Sequence, residues 1–179
     1  MSAPPCVVSH ASLASRATPY PHGSKKAKAL PPLAQTLLAA QDGDELELDE
    51  MWSFVKKRKN KRWLWLALCR RTRQIVAYAL GSRGAKTCRL LWQRIPDSYQ
   101  NSLCYSDFWK AYQSVLPPDQ HHASERQGKT NHIERFNNTL RQRLARLVRR
   151  TLSFSKINTM HEVTIKLFIH HYNSQCSPH

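Results

Sequence analysis

Apolar and polar residues alternate along ELELDEMWSFV, residues 45–55, with the period of two that is typical of a β-strand. Leu46 and Leu48 fall on one side of this strand, and Glu47 and Asp49 fall on the other. The next apolar runs, RWLWLALCR and QIVAYALGSR, are rich in aromatic and β-branched residues and are separated only by RTR. The pattern therefore predicts three strands in a meander, with the basic turn KKRKNKR after the first strand.

Helical and strand patterns alternate in the second half of the chain. AKTCRLLWQRI has helical spacing of its apolar residues and ends before Pro96. SLCYSDFWKAYQSVL begins as a short strand that reaches Asp107 and then continues as a helix, and HHASE predicts a brief fifth strand.

Two further helices complete the predicted fold. Ile133, Phe136, Leu140, Leu144 and Leu147 have the spacing of an amphipathic helix, and residues 157–172 form the last helical pattern. The predicted fold class is α/β, with a mixed five-stranded sheet flanked by helices.

Composition changes near residue 43 and predicts a domain boundary there. Residues 1–42 contain six of the ten prolines and lack a sustained apolar period. Such a segment has too little apolar surface to offset the entropy of ordering. We therefore predict a low-complexity, disordered arm over residues 1–42, with a helical turn around residues 33–41. A single folded domain is expected over residues 43–179.

The charge of the chain identifies its expected partner. Lys and Arg number 28 against 12 Asp and Glu, which gives a net charge of +16 and a pI near 10.1. This excess is typical of proteins that bind nucleic acid. No run of about 18 apolar residues and no signal-peptide pattern occurs, so we expect a soluble, cytoplasmic protein without membrane contact.

Three acidic residues stand in predicted elements rather than in loops. Asp49 lies in the first strand, Asp107 ends the fourth, and Glu134 lies on the late helix. In this element order the first strand is central and neighbours the fourth, so the three carboxylates are expected to converge. Such a site suits Mg²⁺ or Mn²⁺, and two such ions can activate a water or a 3′-hydroxyl for attack at phosphorus. Glu50 follows on the opposite strand face and is expected to be structural.

Several stretches resemble the InsB-type catalytic part of the DDE transposases of the insertion-sequence-one family. They are LELDEMWSFV, KRWLWLAL, YSDFWKAY, HIERFNNTLRQRLARLVRRTLSFSK and HEVTIKLFIHHYN, and the similarity covers about residues 44–173. The resemblance implies an RNase H-like fold and metal-dependent cleavage and strand transfer at transposon ends. It also implies that Asp49, Asp107 and Glu134 are the catalytic, metal-binding triad.

DNA is the partner that charge and resemblance both indicate, as transposon end and as target. We expect a homo-oligomer in the active complex. The family's upstream zinc-finger and helix-turn-helix part has no match here, so DNA recognition is expected to be supplied elsewhere. The predicted DNA contacts are Lys57, Arg58, Lys59, Arg135, Asn138, Arg141, Arg143, Arg146, Arg149 and Arg150.

Two alternative functions remain open from the sequence. His132, Arg135 and Tyr172 could serve a tyrosine recombinase, in which the tyrosine attacks the phosphate covalently. A basic DNA- or RNA-binding protein, or a decayed transposase fragment that binds without cutting, would also carry this charge. Only the first of these alternatives requires a reactive tyrosine.

Overall fold

A computed structural model of the protein describes residues 21–123, 129–150 and 152–176. The strands are β1 (Glu45–Phe54), β2 (Lys61–Cys69), β3 (Ile75–Gly81), β4 (Leu103–Ser106) and β5 (His121–Ala123). The α-helices are α1 (Pro21–Ala29), α2 (Ala85–Arg94), α3 (Lys110–Gln113), α4 (Asn131–Arg143) and α5 (Asn158–Cys176). Within these ranges, no helix combines the length and the apolar character that crossing a membrane requires.

The strands form one mixed sheet in the order β3-β2-β1-β4-β5. β1 pairs antiparallel with β2 and parallel with β4, while β2 pairs antiparallel with β3 and β4 parallel with β5. The predicted meander, the mixed five-stranded sheet and its flanking helices are thus confirmed, and the arrangement is consistent with an RNase H-like fold. β1 lies at the centre of the sheet, as predicted.

The register between β1 and β4 determines which acidic residues become neighbours. Glu45 pairs with Leu103 and Glu47 pairs with Tyr105. The pairing ends before Asp107, which directly follows β4 and lies within electrostatic reach of Asp49.

The sheet separates two hydrophobic layers. Leu46 and Leu48 pack with α2 and α3 in one layer, whereas Met51 packs with α4 and α5 in the other. Asp49 lies on the same face as Met51, because alternate residues of a strand share a face. Glu47 and Asp49 consequently face α4, on the opposite side from the leucines, whereas Glu50 contacts Tyr112 of α3 on the leucine side.

The predicted late helix ends earlier than its apolar spacing indicates. α4 ends at Arg143, and Leu144 has extended dihedral angles of −114° and 95°. Leu147 lies in a short 3₁₀ turn but is still 1% exposed and packs into the same layer as Leu140. The apolar period continues beyond the helix because the helix and the turn both contribute side chains to one core.

Part of the segment assigned to the arm is described and contacts the domain. α1 packs against α5, and a 3₁₀ turn at Leu33–Thr36 lies within the predicted helical turn. The side chain of Gln74 accepts a hydrogen bond from the Leu38 amide at 2.8 Å and donates to the Thr36 carbonyl at 2.9 Å. These bonds join residues 36–38 to Gln74, the residue that precedes β3. Residues 1–20 of the predicted arm lie outside the described residues, and the boundary at residue 43 stays a prediction.

Candidate active site

A cleft of about 490 Å³ opens along β1 where this strand faces α4. We call it the carboxylate cleft. It is lined by Asp49, Glu50, Met51, Trp52, Trp63, Arg83, Glu134, Asn137, Asn138, Arg141 and Arg149. Two of the three predicted catalytic acids, Asp49 and Glu134, therefore share one cavity although they come from different elements.

Asp49 is held in place at both carboxylate oxygens. Oδ2 accepts a hydrogen bond from the side-chain amide of Asn137 at 2.6 Å, and Oδ1 accepts one from the backbone amide of Glu50 at 2.8 Å. Burial, followed by the negative charge of Glu50, raises the pKa of Asp49 to about 7. The carboxyl group thus sits where negative charge has accumulated, and a cation would favour its ionised form.

Glu50 is a buried carboxylate with its own partners. Arg83 forms an ion pair with Oε1 at 2.7 Å, and the Tyr112 hydroxyl donates to Oε2 at 2.8 Å. The guanidinium of Arg83 also contacts the rings of Trp63 and Trp109, 4.7 and 4.1 Å from their centroids. Burial raises the pKa of Glu50, and its charge is balanced locally by Arg83. These contacts give Glu50 a structural role at the back of the cleft.

Asp107 follows β4 and is exposed. Its Oδ1 accepts a hydrogen bond from the backbone amide of Trp109 at 3.0 Å. The described lining of the carboxylate cleft does not include Asp107. Its negative charge nevertheless contributes to the raised pKa of both Asp49 and Glu50, so it lies within electrostatic reach of them.

Glu134 lies in the first turn of α4 with an exposed side chain. Thr130 donates a hydrogen bond to its Oε1 at 2.9 Å. Among the residues that the structure describes, no three His, Cys, Asp or Glu side chains are grouped closely enough to hold a metal ion. Asp49 and Glu134 share the cleft, while Asp107 lies beside it.

The chemistry of the donors still suits a hard divalent cation. Carboxylate and amide oxygens are the ligands that such ions prefer. Asn137 is 7% exposed, and its Oδ1 has no hydrogen-bond partner in the described part of the chain. This amide was not identified from the sequence. Its position three residues after Glu134, hence on the same side of the helix, was the available signal.

The predicted DNA contacts fall into several groups in the structure. Asn138, Arg141 and Arg149 line the carboxylate cleft, where the guanidinium of Arg149 lies 5.0 Å from the centroid of Trp52. Lys59 lines an adjoining cavity of about 760 Å³, which we call the basic groove. The groove is lined by Val55, Lys56, Lys59, Asn60, Lys61, Arg62, Trp63, Ser82, Arg83, Ile157, Asn158 and Thr159. Lys57 and Arg58 are exposed on the same turn.

The remaining predicted contacts lie elsewhere. Arg143 and Arg146 line a third, mainly apolar groove beyond the end of α4, and Arg150 is exposed. Arg135 lies in a smaller pocket together with His132 and Tyr172. The arginine side chains of α4 and of the segment after it therefore point in more than one direction.

Tyr172, the nucleophile of the alternative recombinase function, belongs to an aromatic cluster. Its ring meets Phe136 edge to face at 4.6 Å between centroids and stacks with Phe168 at 6.4 Å. Burial raises the pKa of the Tyr172 hydroxyl above its ordinary value, which opposes formation of a phenolate nucleophile. The surroundings of Tyr172 are those of a packing residue.

Comparison with known proteins gives a consistent result over most of the chain. Residues 45–175 match a family model described as IS1 transposase. The insertion element iso-IS1n protein InsB of Shigella dysenteriae is 40% identical over 125 residues, which cover 69% of this chain and 92% of that protein. The insertion element IS1 protein InsB of Shigella flexneri is 38% identical over 128 residues, which cover 70% and 95% of the two chains. An IS1 InsB protein of Escherichia coli (strain K12) is also 38% identical over 128 residues, covering 70% and 75%.

Proposed function

Because the chain belongs to the IS1 transposase family, we propose that it cleaves and joins DNA strands by metal-dependent phosphoryl transfer through Asp49, Asp107 and Glu134. The observation that supports this proposal is the shared cleft of Asp49 and Glu134, together with the position of Asp107 directly after β4, the parallel neighbour of β1.

Mg²⁺ or Mn²⁺, in two bound ions, would supply the activation of a water or 3′-hydroxyl and the stabilisation of the leaving oxygen. The proposed ligands are Asp49, Asp107 and Glu134. Asn137 orients the carboxylate of Asp49 through its 2.6 Å hydrogen bond. The buried carboxylate of Glu50 is paired with the exposed guanidinium of Arg83, and both residues line the cleft.

The proposed DNA path follows the carboxylate cleft and the basic groove, which share Trp63 and Arg83. Arg141 and Arg149 stand beside the proposed catalytic acids, and Lys59 and its neighbours extend the positive surface along the β1–β2 turn. Contacts from basic side chains to phosphates fix the position of a duplex without reading its sequence. Recognition of transposon ends is accordingly assigned to a further DNA-recognition part.

The other proposed partners follow from the same function. Transposon ends and target DNA must be held together, so we propose a homo-oligomer as the active complex. The proposed place of action is the bacterial cytoplasm, on the nucleoid, since that is where such DNA substrates are found.

A second candidate function is DNA binding without cleavage. The observation that favours it is that the three predicted acids do not form one ion-binding group in the described structure. This candidate predicts affinity for DNA with the same salt dependence but no product in the presence of metal.

A metal-dependent nicking assay decides between the two. The full chain, incubated with transposon-end DNA and Mg²⁺ or Mn²⁺, should nick the DNA, and Asp49→Asn or Glu134→Gln should abolish nicking while DNA affinity is retained or raised. Affinity is expected to hold because each substitution removes an anion near the phosphates. Glu162→Gln, at an exposed carboxylate of α5, is the matched control and should remain active. Nicking by either variant at the wild-type rate would remove these acids from the mechanism.

A further inference from the structure

Glu47 is an acidic residue buried completely inside the protein, with 0% exposure. It precedes Asp49 by two residues on the same face of β1 and therefore points towards α4. A carboxylate in such a position requires strong partners, because an unpaired buried charge is costly. Its partners come from two distant parts of the chain.

One carboxylate oxygen of Glu47 binds the beginning of α4. Oε2 accepts hydrogen bonds from the backbone amides of His132 and Ile133, both at 2.9 Å. The first amides of a helix have no partner inside the helix, and a negative charge there is favoured by the helix dipole. Thr130, at the N-cap position, makes no capping hydrogen bond through its side chain. Glu47 therefore caps α4 from the central strand, 85 residues earlier in the chain.

The other oxygen fixes the orientation of this cap. Oε1 of Glu47 accepts a hydrogen bond from Nε of Arg70 at 2.9 Å, and Arg70 also forms an ion pair with Glu45. Arg70 follows β2, so the carboxylate is held between that strand end and the helix. Its two oxygens are engaged in different directions, which leaves it little rotational freedom.

Glu47 and the helix amides that it binds are close in sequence to both proposed catalytic acids of the cleft. Asp49 is two residues along β1 from Glu47, and Glu134 is the residue after Ile133, whose amide Glu47 binds. We propose that Glu47 is a positioning residue that sets the spacing between β1 and α4, and through it the separation of Asp49 and Glu134. This inference rests on the proposed function, because the acids that Glu47 would position are the proposed metal ligands of that function.

Two substitutions separate the parts of this role. Glu47→Ala removes both acceptors, whereas Glu47→Gln keeps one carbonyl oxygen for the helix amides and loses the charge. Amide hydrogen exchange at His132 and Ile133 should be slow in the wild type, faster in Glu47→Gln and fastest in Glu47→Ala. Mn²⁺ binding by the full chain, followed by the electron paramagnetic resonance signal of the free ion, should weaken in the same order. The expected loss for Glu47→Ala is about 10- to 100-fold.

Two control variants isolate positioning from general stability. Glu45→Gln lies on the same strand and also loses a contact to Arg70, but Glu45 touches no helix amide in the described contacts, so Mn²⁺ affinity should stay near the wild-type value. Leu91→Ala opens the core on the opposite side of the sheet, where Leu91 is 1% exposed. It should lower the melting temperature and leave the Mn²⁺ affinity of the folded protein unchanged.

The outcomes distinguish the two proposals. If the wild type binds Mn²⁺ and nicks DNA, and both Glu47 variants bind Mn²⁺ as the wild type does, the positioning role is overturned and the proposed function stands. Unchanged exchange at His132 and Ile133 in Glu47→Ala would overturn the positioning role as well. If the wild type neither binds Mn²⁺ nor nicks DNA, both proposals fall.

Discussion

The side-chain amide of Asn137 donates a 2.6 Å hydrogen bond to Oδ2 of Asp49, and this bond joins α4 to the central strand inside the carboxylate cleft. Asn137 is about one helical turn from Glu134, so both residues lie on the same side of α4, and both line the cleft together with Asp49. The Oδ1 atom of this amide is buried without a partner in the described part of the chain. A side chain in this position can orient Asp49 and still has an oxygen to offer a cation.

Replacement of Asn137 tests this orientation. Asn137→Ala should lower metal-dependent nicking by about 10- to 100-fold, because groups that orient a metal ligand typically have effects of this size. DNA affinity should be unchanged, since no cation is removed. The measurement is the initial nicking rate over a range of Mn²⁺ concentrations. Gln142→Ala, at an exposed position of the same helix, serves as the control. Full activity of Asn137→Ala would show that Asp49 needs no such support.

Tyr172 is expected to be dispensable for chemistry. Tyr172→Phe keeps the ring that packs on Phe136 and removes only the hydroxyl, so nicking should remain close to the wild-type rate. The measurement is nicking by both proteins, combined with denaturing electrophoresis to detect protein bound covalently to DNA. A covalent adduct through Tyr172 in the wild type would support the tyrosine recombinase instead.

Arg149 should contribute to DNA affinity through phosphate contact. Arg149→Ala should weaken binding and reduce the slope of log affinity against log salt by about 0.9 on duplex DNA, the value for one lost phosphate contact. Arg141→Ala should have a similar effect, although Arg141 also donates a hydrogen bond to the Leu147 carbonyl at 3.2 Å. Titrations at several salt concentrations measure both quantities. Arg89→Ala, at an exposed position of α2, is the matched control. If affinity and slope stay unchanged in both cleft variants, DNA does not follow this face.

The buried environment of His161 leads us to expect that the stability of the protein depends on pH. Its ring is 2% exposed and bridges two serines, with Ser53 Oγ at 2.9 Å from Nε2 and Ser155 Oγ at 2.8 Å from Nδ1. Burial, followed by the charges of Arg146 and Arg62, lowers the pKa of His161 from 6.5 to about 4. At a pH between these two pKa values, His161 binds a proton in the unfolded chain but not in the folded protein. The contribution of His161 to stability is therefore complete above about pH 6.5 and is lost as the pH falls towards 4.

Urea unfolding of the wild type and His161→Gln measures this contribution. The difference in unfolding free energy between the two proteins should shrink by up to roughly 3 kcal/mol between about pH 7 and about pH 4. The comparison with the variant removes the effect of carboxylates that titrate in the same range. His171→Gln, at an exposed position of the same helix, is the matched control variant. A difference that is independent of pH would mean that the pKa of His161 is the same in the folded and unfolded protein, and would contradict the prediction.

The sequence by itself determined the elements and their order. Alternation around Leu46 and Leu48 was sufficient to place Asp49 on the opposite face of β1, because the side chains of a strand alternate between its two faces. Topology extended this result, since three antiparallel strands followed by a helix and a parallel strand leave β1 beside β4. The position of β1 beside β4 followed from these local patterns and from connection rules, and the proximity of Asp49 and Asp107 is the prediction built on it.

Only the tertiary structure decided how the side chains of the cleft are held. In the sequence, Glu47 resembles any solvent-facing acidic residue of an alternating strand. In the structure it is fully buried, and its partners Arg70 and His132 are 23 and 85 residues away in the chain. The bond from Asn137 to Asp49 and the turn that carries Leu147 into the core are equally invisible to local spacing. Hydrogen bonds require donor and acceptor within about 3 Å. That distance between remote residues depends on how the helices pack on the sheet, which no local pattern encodes.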